Sequence, residues 1–363
     1  MTNWEQIARE AQEKASNAAK DAQERGRQVA EERFKEAQDR IREAQEAAAQ
    51  HARQRAEEAQ ELARRASEAM PRGMFVRLLS FVFGIPLLPL LVFAYGTGEY
   101  AGLPFTFATA VCATIGLFEY FRGLRYRGYA PIDIPAYFAV ILLQFAAWNV
   151  SRDEWINFLP VILAAFTLGT TIYAILRKNK EPLVNISLTI FGVVYVGWLF
   201  SYLVFLRSLP GVVAVPLPFG GHFPEAARGA WLVLYVFAVT WGADAGAYFV
   251  GIRWGKRPLA PRLSPKKTVE GAVGGIMAAM ILSVLWGTWI GLPWIHCLIL
   301  GPILGALGEV GDLAESALKR DLGIKDFGGI LPGHGGILDR FDSLLFSAPV
   351  AYYYLVFVVP RLH

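Results

Sequence analysis

The sequence predicts an all-α, polytopic membrane protein with about nine transmembrane helices, preceded by a long, charged, alanine-rich N-terminal helix. Three observations carry this. Of 363 residues, 54% are hydrophobic and only 18% charged. The charge is unevenly placed: Met1 to Gly73 holds 14 Lys plus Arg and 15 Asp plus Glu, while the remaining residues hold 21 and 16. After Met74 the apolar residues form runs of roughly 17 to 24, which at about 1.5 Å per residue cross a hydrocarbon core of about 30 Å. A soluble enzyme and a disordered chain are both excluded. The chain therefore divides into an extension, 1–73, and a membrane domain, 74–363.

The extension contains no Pro before Pro71 and a single interior Gly, Gly26, so nothing stops one continuous helix. Its stripe of small or apolar residues runs from Ala8 to Met70 with a step of about 3.65 residues, between a straight helix and an 11-residue repeat. The stripe is mostly alanine, with Phe34, Ile41 and Met70 as its large members, so its burial contributes little. The helix reads either as solvated and held by charge pairs or as a partner-binding or surface-lying element. It has neither the basic start nor the apolar centre of a signal peptide.

Nine apolar spans follow, at roughly 78–95, 103–121, 134–150, 156–176, 183–206, 231–250, 271–290, 293–311 and 343–359. Lys and Arg in short loops stay on the cytoplasmic side. The loops after the second, fourth, sixth and eighth spans hold 16 such residues, and those after the first, third, fifth and seventh hold only Arg152, Arg207 and Arg228. This alternation predicts a cytoplasmic N-terminus, an outside C-terminus and cytoplasmic basic loops. The net charge of +4 does not indicate nucleic acid, because the basic residues lie between apolar runs rather than along one face. Cys112 and Cys297 sit inside apolar runs and read as buried thiols.

The first five spans are nearly uncharged apart from Glu119, whereas the part from about 231 to 345 is dense in ionisable residues. Carboxylates in or at the ends of membrane spans are costly and mark function. The sequence offers Asp244, then Glu309, Asp312 and Glu315, then Asp339 and Asp342. Asp312 and Glu315 are three apart, as are Asp339 and Asp342, so each pair shares a helix face. Clustered oxygen donors, with few His and no usable Cys, suit a hard cation such as Mg²⁺ rather than zinc. Lys266, Lys267, Lys319, Arg320, Lys325 and Arg340 alternate with these acids beside a glycine-rich turn, Gly328 to Gly336. Metal, cations and exposed backbone N–H groups are what a site for phosphate groups requires. Each group alone also fits a structural role; the coincidence within 312–342 favours function.

The stretch Ser316 to Asp342, SALKRDLGIKDFGGILPGHGGILDRFD, resembles in full the signature of the phosphatidate cytidylyltransferases (CDP-diacylglycerol synthases). The segments DAGAYFVGIRWGK from Asp244 and LAPRLSPKKTVEGAVGG from Leu259 are similar to that family too, with Ala245 where a hydroxyl residue is common. The likeness covers roughly Met74 to Pro360 and leaves out the extension. It implies transfer of the CMP moiety of CTP to phosphatidate at the cytoplasmic membrane surface, releasing pyrophosphate. It also implies Asp312, Asp339 and Asp342 as ligands of Mg²⁺, with room for a second, monovalent cation such as K⁺.

Two polyanions must meet in that reaction, so charge neutralisation and positioning should dominate. Lys319, Arg320, Lys325 and Arg340 are assigned to phosphate neutralisation, and Lys266 and Lys267 to the CTP triphosphate or the lipid phosphate. His334 is open between proton transfer, a hydrogen bond in the turn and a phosphate contact. Ser316 and Thr268 read as hydrogen-bond donors or caps rather than nucleophiles. Asp244 and Glu270 read as substrate contacts or their supports, with a buried Asp–Arg pair as the structural alternative. A CTP-dependent polyprenol or lipid kinase and a cation-coupled transporter are the competing readings, and a homodimer is left open.

Overall fold

The structure, a computed structural model, describes residues 87–94, 100–149, 158–177, 181–210, 212–213, 215, 226–328 and 335–359. The N-terminal extension and His334 lie outside the described residues. Residues 87–93 are helical. Eight further long helices follow among the described residues: α1 (Leu103–Tyr126), α2 (Asp133–Asn149), α3 (Phe158–Leu176), α4 (Pro182–Arg207), α5 (Arg228–Trp254), α6 (Val269–Trp289), α7 (Trp294–Leu322) and α8 (Leu338–Phe357). Two small antiparallel pairs interrupt them, β1 (Val212–Val213) with β2 (Ala226–Ala227), and β3 (Pro258–Ala260) with β4 (Ser264–Thr268).

Six of these helices, all but α2 and α8, are long and apolar enough to cross a membrane. With 17 residues α2 is short, and α8 opens on Asp339, Arg340 and Asp342, which dilute its apolar length. Many large apolar side chains on the long helices face outward, among them Leu168, Ile175, Met277 and Leu285. A helix apolar on its outer as well as its inner face suits lipid. The chain is thus an all-α polytopic membrane protein. The count of nine spans goes beyond the described helices, because the first expected span is only partly among the described residues.

Small residues let the helices approach. Gly246 on α5 faces Ala278 and the Gly274 carbonyl of α6 so closely that an added Cβ would lie 2.4 Å from the Ala278 Cβ. With no hydrophobic drive between helices in lipid, such contacts and interhelical hydrogen bonds hold a bundle together. The Ser283 hydroxyl of α6 donates to the Cys297 carbonyl of α7 at 2.6 Å and lies 2.6 Å from the Tyr235 hydroxyl of α5. Within α4, residues Val193–Trp198 form a π-helical turn, and the Gln144 amide of α2 donates to the Gly197 carbonyl there at 2.8 Å.

The loops sort to two ends. Arg122, just after the second expected span, donates to the Phe327 carbonyl at 3.1 Å, and Arg320 reaches the Leu263 carbonyl at 3.4 Å. The Ala130 N–H donates to Asn185 at 2.9 Å. The connections after the second, fourth, sixth and eighth spans therefore meet at one end. At the other, the Trp148 indole donates to the Ala101 carbonyl at 2.8 Å and Arg207 to the Val92 carbonyl at 2.6 Å.

Candidate active site

At the end where the basic loops meet, α5, β4, α6, α7 and the start of α8 enclose a cavity of about 940 Å³. Local chemistry explains how each side chain arrives there. Thr268, the last residue of β4, caps α6 by accepting from the Gly271 N–H at 3.1 Å. Two residues on, Glu270 accepts from the Lys256 and Arg257 N–H groups at 2.9 and 3.1 Å and from the Arg257 guanidinium at 2.9 Å. These bonds tie the exit of α5 to the start of α6 and hold the hairpin that carries Lys266 and Lys267. α7 ends at Gly323, whose left-handed backbone (φ 72°) lets the Ile324 N–H turn back to the Lys319 carbonyl at 2.9 Å.

Acids and cations interleave inside the cavity. The Lys267 ammonium lies 2.6 Å from Glu309 and 2.5 Å from Asp312. Burial works to lower its pKa, but the Asp312 and Glu309 carboxylates outweigh that and hold it above the usual lysine value. The Lys319 ammonium lies 3.1 Å from Glu315, one turn back on α7, and 2.8 Å from Asp339 on α8. Asp339 in turn accepts from the Gly336 N–H at 2.8 Å. Asp342 accepts from the Ser343 N–H at 2.7 Å, and the Ser343 hydroxyl reaches Asp244 at 3.4 Å.

One group of acids fits a metal ion: Asp312, Glu315 and Asp342 present carboxylate oxygens within 4.8 Å of one another. The Glu315 Oε1 is buried without a hydrogen-bond partner, which fits an oxygen able to ligate a cation. The sequence-based set was Asp312, Asp339 and Asp342. The structure brings the first and last together and sets Glu315 beside them, while Asp339 is engaged by Lys319 and Gly336.

Of the other expected residues, Asp244, Lys266, Lys267, Lys319 and Arg340 line the cavity. Arg320 and Lys325 are exposed and outside its lining, and Ser316 is buried within α7. Glu270 serves the hairpin rather than the cavity wall. His334 lies outside the described residues. The sequence reading underused Glu309, whose spacing of three from Asp312 was the available signal, and it passed over Tyr195. That tyrosine comes from the π-helical turn, carries a buried hydroxyl without a hydrogen-bond partner, and sits in the field of Glu315, Asp342 and Asp312.

A cluster of carboxylates, lysines wedged between them and a cavity large enough for a nucleotide, at one end of a helical membrane bundle, fit a membrane-bound enzyme that transfers phosphorus-containing groups. Comparison with known proteins narrows this class. The chain belongs to the Cytidylyltransferase family, whose profile matches residues 75–358. It is 36% identical over 301 residues to the phosphatidate cytidylyltransferase of Synechocystis sp., covering 79% of this chain and 98% of that one. It is 35% identical over 259 residues to the phosphatidate cytidylyltransferase of Bacillus subtilis, covering 70% and 89%.

Proposed function

We propose that this chain is a phosphatidate cytidylyltransferase: it joins the CMP moiety of CTP to phosphatidate, making CDP-diacylglycerol and pyrophosphate for phospholipid synthesis. The observation that carries the reading is the interleaving of Lys267 and Lys319 with four carboxylates, Glu309, Asp312, Glu315 and Asp339, at one cavity, in a chain aligned with named enzymes over nearly the whole membrane domain.

The lipid phosphate monoester has a second pKa near 6 and is largely dianionic at neutral pH, so it attacks without a general base. One of its oxygens bonds to the α-phosphorus of CTP; the bond from that phosphorus to the bridging oxygen breaks, and pyrophosphate leaves with the electron pair. The obstacle is repulsion between two polyanions. An ammonium has three N–H donors. Lys267 and Lys319 each turn toward two carboxylates, which leaves one donor apiece for phosphate oxygens. Lys266 and Arg340 add positive charge to the cavity wall. Asp312, Glu315 and Asp342 would hold Mg²⁺, with Asp339 nearby through Lys319. Bound there, the metal would offset charge on the reacting phosphates. A monovalent cation such as K⁺ is a further proposal for the same acid-rich wall.

The arrangement in the membrane is also proposed: nine spans, a cytoplasmic N-terminus and site, an outside C-terminus, and an extension (1–73) separate from the enzyme domain (74–363). The alternation of basic loops supports it. The deciding experiment is purified chain in detergent with labelled CTP, phosphatidate and Mg²⁺. CDP-diacylglycerol and pyrophosphate in equal amounts are expected, with neither formed in chelator. Release of CDP with a phosphorylated lipid would make it a kinase instead.

A further inference from the structure

Glu119 lies on α1, in the half of the chain that carries none of the cavity's acids, and is fully buried. Its Oε2 accepts from the Leu338 N–H at 3.0 Å, and the Ile337 N–H faces the same carboxylate. Two glycines crowd it from the ends of the signature loop. A Cβ on Gly328 would lie 1.9 Å from Oε1 and 3.0 Å from the Gly336 Cα, and one on Gly336 would lie 2.6 Å from Oε2. The two strands of the loop thus meet at a neck, and the neck closes around this carboxylate. Only residues without a Cβ fit there.

The next turn of α1 continues the support. Arg122 donates to the Phe327 carbonyl at 3.1 Å, and Gly123 packs under Leu322, Ile324 and Phe327, with an added Cβ 3.1 to 3.3 Å from each. Residues 119, 122 and 123 share one helix face. That face holds the chain where it leaves α7 and again where it starts α8. Three residues after Gly336 comes Asp339, bound back to the Gly336 N–H, and one turn further Asp342. A buried carboxylate is costly, and this one is held by loop backbone at Oε2 while its Oε1 is buried without a hydrogen-bond partner, so it is an expensive clasp for a turn that hydrogen bonds of its own would otherwise hold.

We propose that Glu119 is a positioning residue for the transfer reaction: by accepting the Leu338 N–H and filling the neck between Gly328 and Gly336, it sets where α8 begins and so where Asp339 and Asp342 stand relative to α7. The proposal rests on the cytidylyltransferase reading. The wild-type assay separates the two, since a wild-type chain that makes no CDP-diacylglycerol defeats that reading, whereas the variants below defeat the clasp.

The test uses the full chain in detergent with Glu119→Ala, Glu119→Gln and Glu119→Asp, measuring kcat, the KM for CTP, the Mg²⁺ concentration for half-maximal rate, and hydrogen exchange in the peptide covering 335–340. Glu119→Gln keeps an acceptor of the same length and should stay within about threefold of wild type in kcat, about 0.65 kcal/mol. Glu119→Ala should lose at least about tenfold in kcat, about 1.4 kcal/mol, need more Mg²⁺, and exchange faster in 335–340. If Glu119→Ala fails to fold, Glu119→Asp decides: one methylene shorter, it should show the same three changes. Wild-type kcat, Mg²⁺ requirement and exchange in both Ala and Asp variants would overturn the proposal. So would a Gln variant as impaired as Ala, or a loss of folded protein in every variant with unchanged kinetics in what remains.

Discussion

The ammonium of Lys267 and the carboxylate of Glu309 stand 2.6 Å apart, joining the short β3–β4 hairpin to the middle of α7. Glu309 is nearly buried, and a carboxylate at that depth in a helix that crosses the bilayer needs a partner. Lys267 therefore has a structural role beside the chemical one proposed for it, and the two separate by mutation. Lys267→Met should lower stability toward the low end of about 3–5 kcal/mol, because the lysine keeps some exposure, and should abolish turnover. Adding Glu309→Leu should restore the thermal midpoint without restoring turnover. Recovery of activity in the double variant would show that Lys267 serves packing alone.

The acid cluster makes a prediction about metal dependence. Asp312→Asn, Glu315→Gln and Asp342→Asn should each reduce turnover by at least about a hundredfold, about 2.7 kcal/mol, and raise the Mg²⁺ needed. Asp339→Asn should reduce turnover too, by loosening Lys319 and the Gly336 N–H, but with a smaller change in Mg²⁺ requirement. Equal shifts in Mg²⁺ dependence for Asp339 and Asp342 would place Asp339 among the ligands, as the family resemblance implies.

Orientation is testable at exposed positions on opposite ends. A cysteine at Arg127, beside the loop that meets Asn185, should react with a membrane-impermeant reagent only from the cytoplasmic side, and one at Pro210 only from outside. The native Cys112 and Cys297 lie within helices and should stay unlabelled. The reverse pattern would put the cavity on the wrong side of the membrane for cytoplasmic CTP.

The extension is expected to be dispensable for chemistry. Its charges nearly cancel, its stripe is alanine, and every residue assigned to the site lies at or beyond Glu119. A chain starting at about Gly73 should insert and keep most of its specific activity. A loss of tenfold or more, about 1.4 kcal/mol in the barrier, would show that the extension contributes to the site or to an obligatory assembly.

What sequence alone determined here was set by short-range physics. Apolar length against bilayer thickness marked the spans, the alternation of Lys and Arg sorted the loops to two ends, and the spacing of three between Asp312 and Glu315 put them on one face of α7. The motif from Ser316 to Asp342 carried the family resemblance, which the family profile over 75–358 bears out. Tertiary structure decided which acids stand together. Asp339 and Asp342 look equivalent in sequence, yet a turn of helix carries Asp342 to Asp312 and Glu315 while Asp339 meets Lys319, a choice fixed by how α8 docks on α7. Glu270 reads from sequence as a substrate contact or the support of one, and only the fold shows it turned back to the backbone of 256–257. Glu119 lies 219 residues from Leu338 along the chain. No local pattern links them, because the contact exists only once α1 has packed against the end of α7 and closed the neck of the loop.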